Sequence, residues 1–207
     1  KVLRLALCCC WCWSGAEAIA QTPPQPPQAF VDTTYAPGGG TVRAVNGGES
    51  LQAAIDASSL GDVIVLQAGA TFTGPFILRN KPGSGWIYIR SSAYDSLPAP
   101  GARVGPANAI SMPKIVTTSS LGAITEDPGA HHYRFVGVEI TTTVSTTSTI
   151  QYGLVTFGYN SAGNQVTSVS QLPHHIVFDR CFIHGTATGN VRRGLAANAA
   201  YFAVIDS

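Results

Sequence analysis

Asp179, Arg180 and His184 bring a carboxylate, a guanidinium and an imidazole together within six residues of chain. Groups of this kind can hold or move a proton and can neutralise a developing anion. Strict strand alternation puts Val177, Asp179 and Cys181 on one face and Phe178, Arg180 and Phe182 on the other. If Val177 and Cys181 point into a core, Asp179 follows them unless the chain turns there. Phe178, Arg180 and Phe182 then face outward, where a ligand can lie. These three residues, Asp179, Arg180 and His184, are the candidate catalytic set. The structural alternative for the same residues has Asp179 capping a turn and Arg180 in an ordinary surface ion pair. Arg192-Arg193 follows a loop rich in Gly, Thr and Asn. Two adjacent guanidiniums suit a carboxylate-bearing ligand, and solvated loop charge is the alternative.

Other polar groups are weaker candidates. His131-His132 and His174-His175 have the residue type of metal-ligand pairs, but both stand at matching positions before strands, which also fits a repeated structural role. Glu126-Asp127 lacks the third carboxylate that a calcium site requires. Trp86 and Tyr88 can stack on a flat ligand or pack in a wall, and the Ser/Thr-rich stretch from Thr141 to Thr149 reads as an exposed loop. The chain has no G-x-S-x-G, P-loop, dinucleotide-binding or H-E-x-x-H pattern. Those absences argue against the common hydrolase, nucleotide and zinc-protease classes.

The elements that position these groups are short. Charged residues make up 11% of the chain against 45% hydrophobic, with 22 Gly and 13 Pro among 207 residues. Charge at less than half the usual ~25% disfavours a surface-charged helical bundle and favours short strands joined by many turns. Net charge is +1 and Arg192-Arg193 is the one adjacent basic pair, so neither nucleic acid nor an anionic membrane is an expected partner.

The first residues read as a secretory leader. Lys1 and Arg4 precede the apolar stretch Leu5 to Trp13, and Ala18-Ile19-Ala20 places cleavage before Gln21. The apolar run is shorter than the ~20 residues that cross a bilayer. No Met stands at position 1, so the gene is expected to begin upstream. Cys8, Cys9, Cys10 and Cys12 fall in this leader as apolar filler; a metal cluster or a lipid anchor is the alternative. Cys181 alone then remains, and an internal disulfide is ruled out for the processed chain. Residues 1–20 are thus the expected signal peptide, 21–40 a Pro/Gly-rich linker with a loose joint at Gly38-Gly39-Gly40, and 41–207 the folded domain. Export to the periplasm or outside the cell follows.

In the domain, Val42–Val45 reads as a strand and Leu51–Ala57 as a short helix, with Leu51, Ala54 and Ile55 on one face and Ser50 as its N-cap. Strands are predicted at Val63–Leu66, Phe76–Leu78, Trp86–Arg90, Lys114–Thr118, Tyr133–Ile140, Gly153–Phe157, His175–Ile183 and Tyr201–Asp206, with a surface loop over Ala93–Met112. The segment from His131 aligns with that from His174, and Ala199–Asp206 follows the same outline. Such recurrence marks a solenoid, whose units bury their apolar faces only by stacking.

The passage Ser50–Asp56 through Gly61-Asp62-Val63-Ile64-Val65-Leu66 to Phe72 resembles the opening of pectin-lyase-like right-handed parallel β-helices, and Phe135–Ile140 and Val177–Gly185 resemble their repeating coil strands. The resemblance implies an all-β, right-handed parallel β-helix with a short N-terminal capping helix, present here as its N-terminal coils and continuing beyond Ser207. It implies a polysaccharide partner. In that superfamily, uronate lyases use a base and a cation beside the sugar carboxylate, and hydrolases use clustered Asp. Calcium is a cofactor the resemblance allows, although the sequence shows no ligand cluster for it. The expected function is a polysaccharide lyase or hydrolase on acidic polysaccharide; the alternatives are a non-catalytic glycan-binding or cell-surface β-helix and, more distantly, a phage-like or adhesin domain.

Overall fold

The computed structural model describes residues 30–145, 150–158 and 166–207. The expected leader, residues 21–29 of the linker and residues 146–149 and 159–165 lie outside the described residues. The chain winds into stacked coils. The first turn carries β1 (Val42–Val45) and helix α1 (Leu51–Ala57). The second carries β2 (Val63–Leu66), β3 (Thr71–Thr73) and β4 (Phe76–Leu78), and the third β5 (Ile87–Ser91), β6 (Lys114–Thr117) and β7 (Ile124–Glu126). Next come β8 (His131–Val136), β9 (Glu139–Thr142), β10 (Ile150–Gln151) and β11 (Val155–Phe157). The following coil repeats them as β12 (His174–Asp179), β13 (Phe182–Ile183), β14 (Asn190–Val191) and β15 (Leu195–Ala197), before β16 (Ala200–Ile205).

All pairings are parallel. Sheet 1 runs β1-β2-β5-β8-β12-β16, sheet 2 runs β3-β6-β9-β13, and sheet 3 runs β4-β7-β11-β15; β10 pairs β14 separately. With the right-handed crossovers that parallel strands adopt, this is a right-handed parallel β-helix. Each sheet sends columns of side chains inward: Ile64, Ile89, Phe135 and Phe178, with Ile87, Tyr133 and Ile176 beside them, from sheet 1, Phe72, Ile115, Ile140 and Ile183 from sheet 2, and Phe76, Ile124, Val155 and Leu195 from sheet 3. The columns meet in one continuous core. Phe135 and Phe178 stack with centroids 4.9 Å apart and planes at 4°. An offset pair of this kind adds about 0.5–1.5 kcal/mol beyond burial.

Helix α1 closes the first end. Ser50 accepts a hydrogen bond from Ala53 N at 3.1 Å, and Leu51 and Ile55 are buried over the core. Gln52 takes up the open edge of β4: its Oε1 accepts from Ile77 N at 2.8 Å and its Nε2 donates to Ile77 O at 3.1 Å. A bare edge strand is thereby covered. Asp62, buried at the start of β2, ties the first turns together. Its carboxylate accepts from Thr41 N at 2.8 Å and Ser59 N at 3.0 Å and faces Arg43. Burial alone would raise its pKa, but the Ser59 and Thr41 amides and Arg43 outweigh that and hold it below the usual value.

Several expectations change. Tyr133–Ile140 and His175–Ile183 each form two strands, bent at Gly137 and Arg180. Those residues and Asp206 sit at the same corner of successive coils with φ of 62°, 48° and 54°. The left-handed corner breaks side-chain alternation. Phe178 therefore points into the core, with Val177 and Asp179 on the outer side of sheet 1, while Cys181 past the corner returns inward. Strict alternation placed Phe178 outside and is corrected. A Cβ at Gly137 would meet Leu97 Cδ1, so any other residue there would require the Leu97 side chain to shift. The Ala93–Met112 stretch is more than surface loop: it carries 3-10 turns at Tyr94–Ser96 and Pro106–Ser111 and buries Leu97, Val104 and Met112 in a small cluster with Phe182. A side chain at Gly40 would meet the Gly61 carbonyl.

Two outcomes follow. Phe178→Ala removes the centre of the sheet 1 column and lowers unfolding free energy in urea by about 3–5 kcal/mol. Asp62 has a depressed folded pKa, so its stabilisation is present above the unfolded value of about 3.9 and is lost as pH falls below it. Asp62→Asn lowers the melting temperature at neutral pH and flattens its decline below about pH 4; a decline as steep as in the parent chain would contradict this role.

Candidate functional site

The chemistry-bearing residues fall into three groups on the outside of the coils. In the first, Asp179 leaves the end of β12 on the outer face of sheet 1 and is gripped by two arginines. Its Oδ2 accepts from Arg134 Nη2 at 2.8 Å and its Oδ1 from Arg180 Nε at 2.8 Å. Side-chain exposure is 4% for Arg134 and 3% for both Asp179 and Arg180. Overlying segments seal the group. Arg134 Nη1 donates to Thr33 O at 2.8 Å and Thr34 O at 2.9 Å, and Arg180 Nη1 donates to Pro98 O at 3.1 Å. Tyr35 packs edge-on to Tyr88 and stacks on Tyr94, with Arg134 over the Tyr35 ring and Arg180 over the Tyr94 ring. Arg180 thus forms no surface ion pair; it is buried and holds residues 94–98 to the coil wall, as Arg134 holds residues 33 and 34.

The second group lies on the outer face of sheet 2. Lys114 on β6, Glu139 on β9 and Phe182 on β13 share one register position, and His184 follows just beyond β13. Glu139 Oε1 is 3.0 Å from Lys114 Nζ and 2.9 Å from His184 Nε2. Glu139 is 5% exposed, whereas Lys114 and His184 are 42% and 34% exposed. His184 Nδ1 meets Gly185 O at 2.8 Å, and its ring stacks on Phe182 at 4.3 Å. Both ring nitrogens face acceptors, so both bonds form together only when each carries a hydrogen, as in imidazolium. The row is the Lys114 ammonium and the His184 imidazole, both half-exposed, astride a nearly buried carboxylate.

The third group is a quartet of histidines where β8 and β12 begin. His131 stacks on His174 at 4.9 Å with planes at 0°, and His132 on His175 at 4.5 Å with planes at 3°. Within each coil the Nδ1 atoms are 2.7 Å apart. His132 and His175 have φ of 58° and 54°, which turns both members of each pair to the same side. Burial, then the neighbouring imidazoles, lowers His132 to about 4 and shifts His174 and His175 in the same direction.

The structure therefore separates His184 from Asp179 and Arg180, which the sequence grouped together. Arg192 and Arg193 are exposed between β14 and β15, with Arg193 over the Tyr152 ring at 4.6 Å. Glu126 is buried and accepts from Gly158 N at 3.0 Å, while Asp127 pairs with Arg79 at 3.3 Å, so the two carboxylates do not act together. Calcium takes six to eight oxygens. Among the described residues no three carboxylates converge, and the side chains present do not fit that ion. Tyr88 is buried and accepts from Ala36 N at 3.3 Å, Trp86 packs edge-on to His132 at 5.1 Å, and Thr141 and Thr142 are buried in β9 rather than in an exposed loop. Cys181 is a free, buried thiol, its pKa pushed up to about 12 by desolvation. Sequence reading missed Lys114 and Glu139. The available signal was a repeated pair at the start of each sheet 2 strand: Thr71-Phe72, Lys114-Ile115, Glu139-Ile140 and Phe182-Ile183.

No family model matches the chain, and no curated protein matches it. Two solved structures are similar. One is a PL6-family alginate lyase, at 18% identity and a TM-score of 0.44 over 87% of this chain and 21% of that one. Another is an alginate lyase from Paenibacillus sp., at 14% identity and a TM-score of 0.37 over 77% of this chain and 61% of that one. The chain spans less than two thirds of either. Its assignment to the parallel β-helix fold stands on its own strand registers.

Removing Asp179 leaves two guanidiniums buried without their counter-charge. Asp179→Ala is expected to cost about 3–5 kcal/mol of stability in denaturant unfolding. His184→Gln, half-exposed, is expected to change it by less than about 1 kcal/mol. Equal losses would show that the two groups share one structural role.

Proposed function

We propose that this chain is part of an exported, pectin-lyase-like β-helix protein that engages an acidic polysaccharide through the outer face of sheet 2. The observation that carries the reading is the Lys114–Glu139–His184 row, which crosses three coils with the Lys114 ammonium and the His184 ring half-exposed to solvent. Coils rise by about 4.8 Å, so an extended polymer lying along the helix axis meets successive members of the row. Lys114 and His184 supply charge for a uronate carboxylate, and the Phe182 ring under His184 adds an apolar wall. Arg192 and Arg193 are exposed guanidiniums available to further carboxylates along the chain. In β-elimination the C5 proton leaves to a base, the C4–O4 bond breaks, and the leaving oxygen takes a proton. In this reading His184 is the proposed donor of that proton, its Nε2 turning from Glu139 to the leaving oxygen. Asp179 and Arg180 act in this reading as positioning residues, through the coil wall on which the row stands.

One observation favours a second, non-catalytic reading. Glu139 engages both Lys114 and His184, which suits binding and leaves the base for C5 to come from elsewhere.

Incubating the protein with alginate and with pectate, and following the ultraviolet absorbance of the C4=C5 unsaturated product, separates the two. A rise that is lost in His184→Gln supports elimination. Retention on the polymer without any rise supports glycan binding. In either case the double variant Lys114→Ala/His184→Gln weakens polymer binding by about tenfold, the equivalent of ~1.4 kcal/mol. Unchanged binding in that variant would rule out the sheet 2 face. Export is checked by mass spectrometry of the secreted product, which should begin at Gln21.

A further inference from the structure

We propose that the histidine quartet on the outside of sheet 1 is a binding site for one borderline divalent cation, Zn²⁺ or Co²⁺, held by His132, His174 and His175. Each of these residues offers a ring nitrogen, and the three nitrogens lie within 4.8 Å of one another. They come from two successive coils, so a bound ion clips the coils together. A tetrahedral ion with bonds of ~2.0–2.1 Å needs its nitrogens roughly 3.4 Å apart. The half-buried rings close that gap by rotating about their side-chain torsions. His131, whose Nδ1 is 2.7 Å from that of His132, orients the His132 ring from behind. The ion replaces the Nδ1 contact between His174 and His175.

The backbone itself does not call for histidine at these positions. The next coil makes the same left-handed turn with Ala200-Tyr201, Tyr201 having φ of 50° and stacking on His175 at 4.6 Å. The ladder of turns is therefore built without imidazoles, and four of them on two adjacent coils are chemistry added to it. Imidazole donors without carboxylates select Zn²⁺, Co²⁺ or Cu²⁺ over Ca²⁺ and Mg²⁺.

The test is a CoCl2 titration of the untagged full chain in which Cys8, Cys9, Cys10 and Cys12 are serine, so that thiolates do not compete. Visible d–d absorption should saturate at one ion per chain and be displaced by ZnCl2 but not by CaCl2. It should vanish in His132→Asn, which tolerates the left-handed backbone, and in His174→Gln, and persist in His184→Gln. ZnCl2 should raise the melting temperature of the parent chain and leave that of both quartet variants unchanged. Absence of saturable absorption in the parent chain overturns the site, whatever the variants do. So does a signal that survives His132→Asn and His174→Gln, or one lost in His184→Gln alone.

Discussion

Every feature of this molecule depends on coils that stack in register. One coil of three short strands has no inside of its own; its apolar side chains become a core only when the coils above and below cover them. Parallel pairing enforces that cover by placing each residue directly over its counterpart. Ile89 sits over Ile64, Phe135 over Ile89 and Phe178 over Phe135. The same constraint builds the outer surface. Corners stack on corners at Gly137, Arg180 and Asp206, imidazoles stack on imidazoles, and Lys114 lines up with Glu139.

Register also decides what each charge does. Asp179 and Glu139 are both nearly buried carboxylates facing two basic side chains, yet their surroundings differ. Around Asp179 both arginines are sealed under Tyr35, Tyr94 and Pro98, so the charges are spent on holding loops to the wall. Around Glu139 the partners reach water, so the same arrangement leaves positive charge on offer. A buried charge cluster of the first kind costs stability when broken and contacts no ligand. The second kind costs little and can select one.

The sequence revealed the fold more fully than the site, for a physical reason. Burial leaves a periodic trace: Val63–Leu66, the Leu51–Ile55 face of α1 and the paired segments from His131 and His174 all stand out in one chain, and together they imply stacked coils. Conformation at a single residue leaves none. Arg180 adopts φ of 48°, an angle its residue type does not announce, and that one torsion reverses the facing of Phe178 and buries the group that looked most reactive. Lys114 and Glu139 lie 25 positions apart and become neighbours only through the β6–β9 register, which local pattern does not reveal. His184 was noticed for its proximity to Arg180, whereas its partner proves to be Glu139.

Nuclear Overhauser contacts between backbone protons of β8, β12 and β16 test this registration most directly. In-register parallel coils predict close amide and Hα contacts linking Tyr133 with Ile176 and Ile176 with Phe202, repeated one residue at a time along the strands. Short Hα–Hα contacts typical of antiparallel pairs, or a shift that sets Phe178 against Arg134 instead of Phe135, would contradict it and dismantle the rows of side chains built upon it.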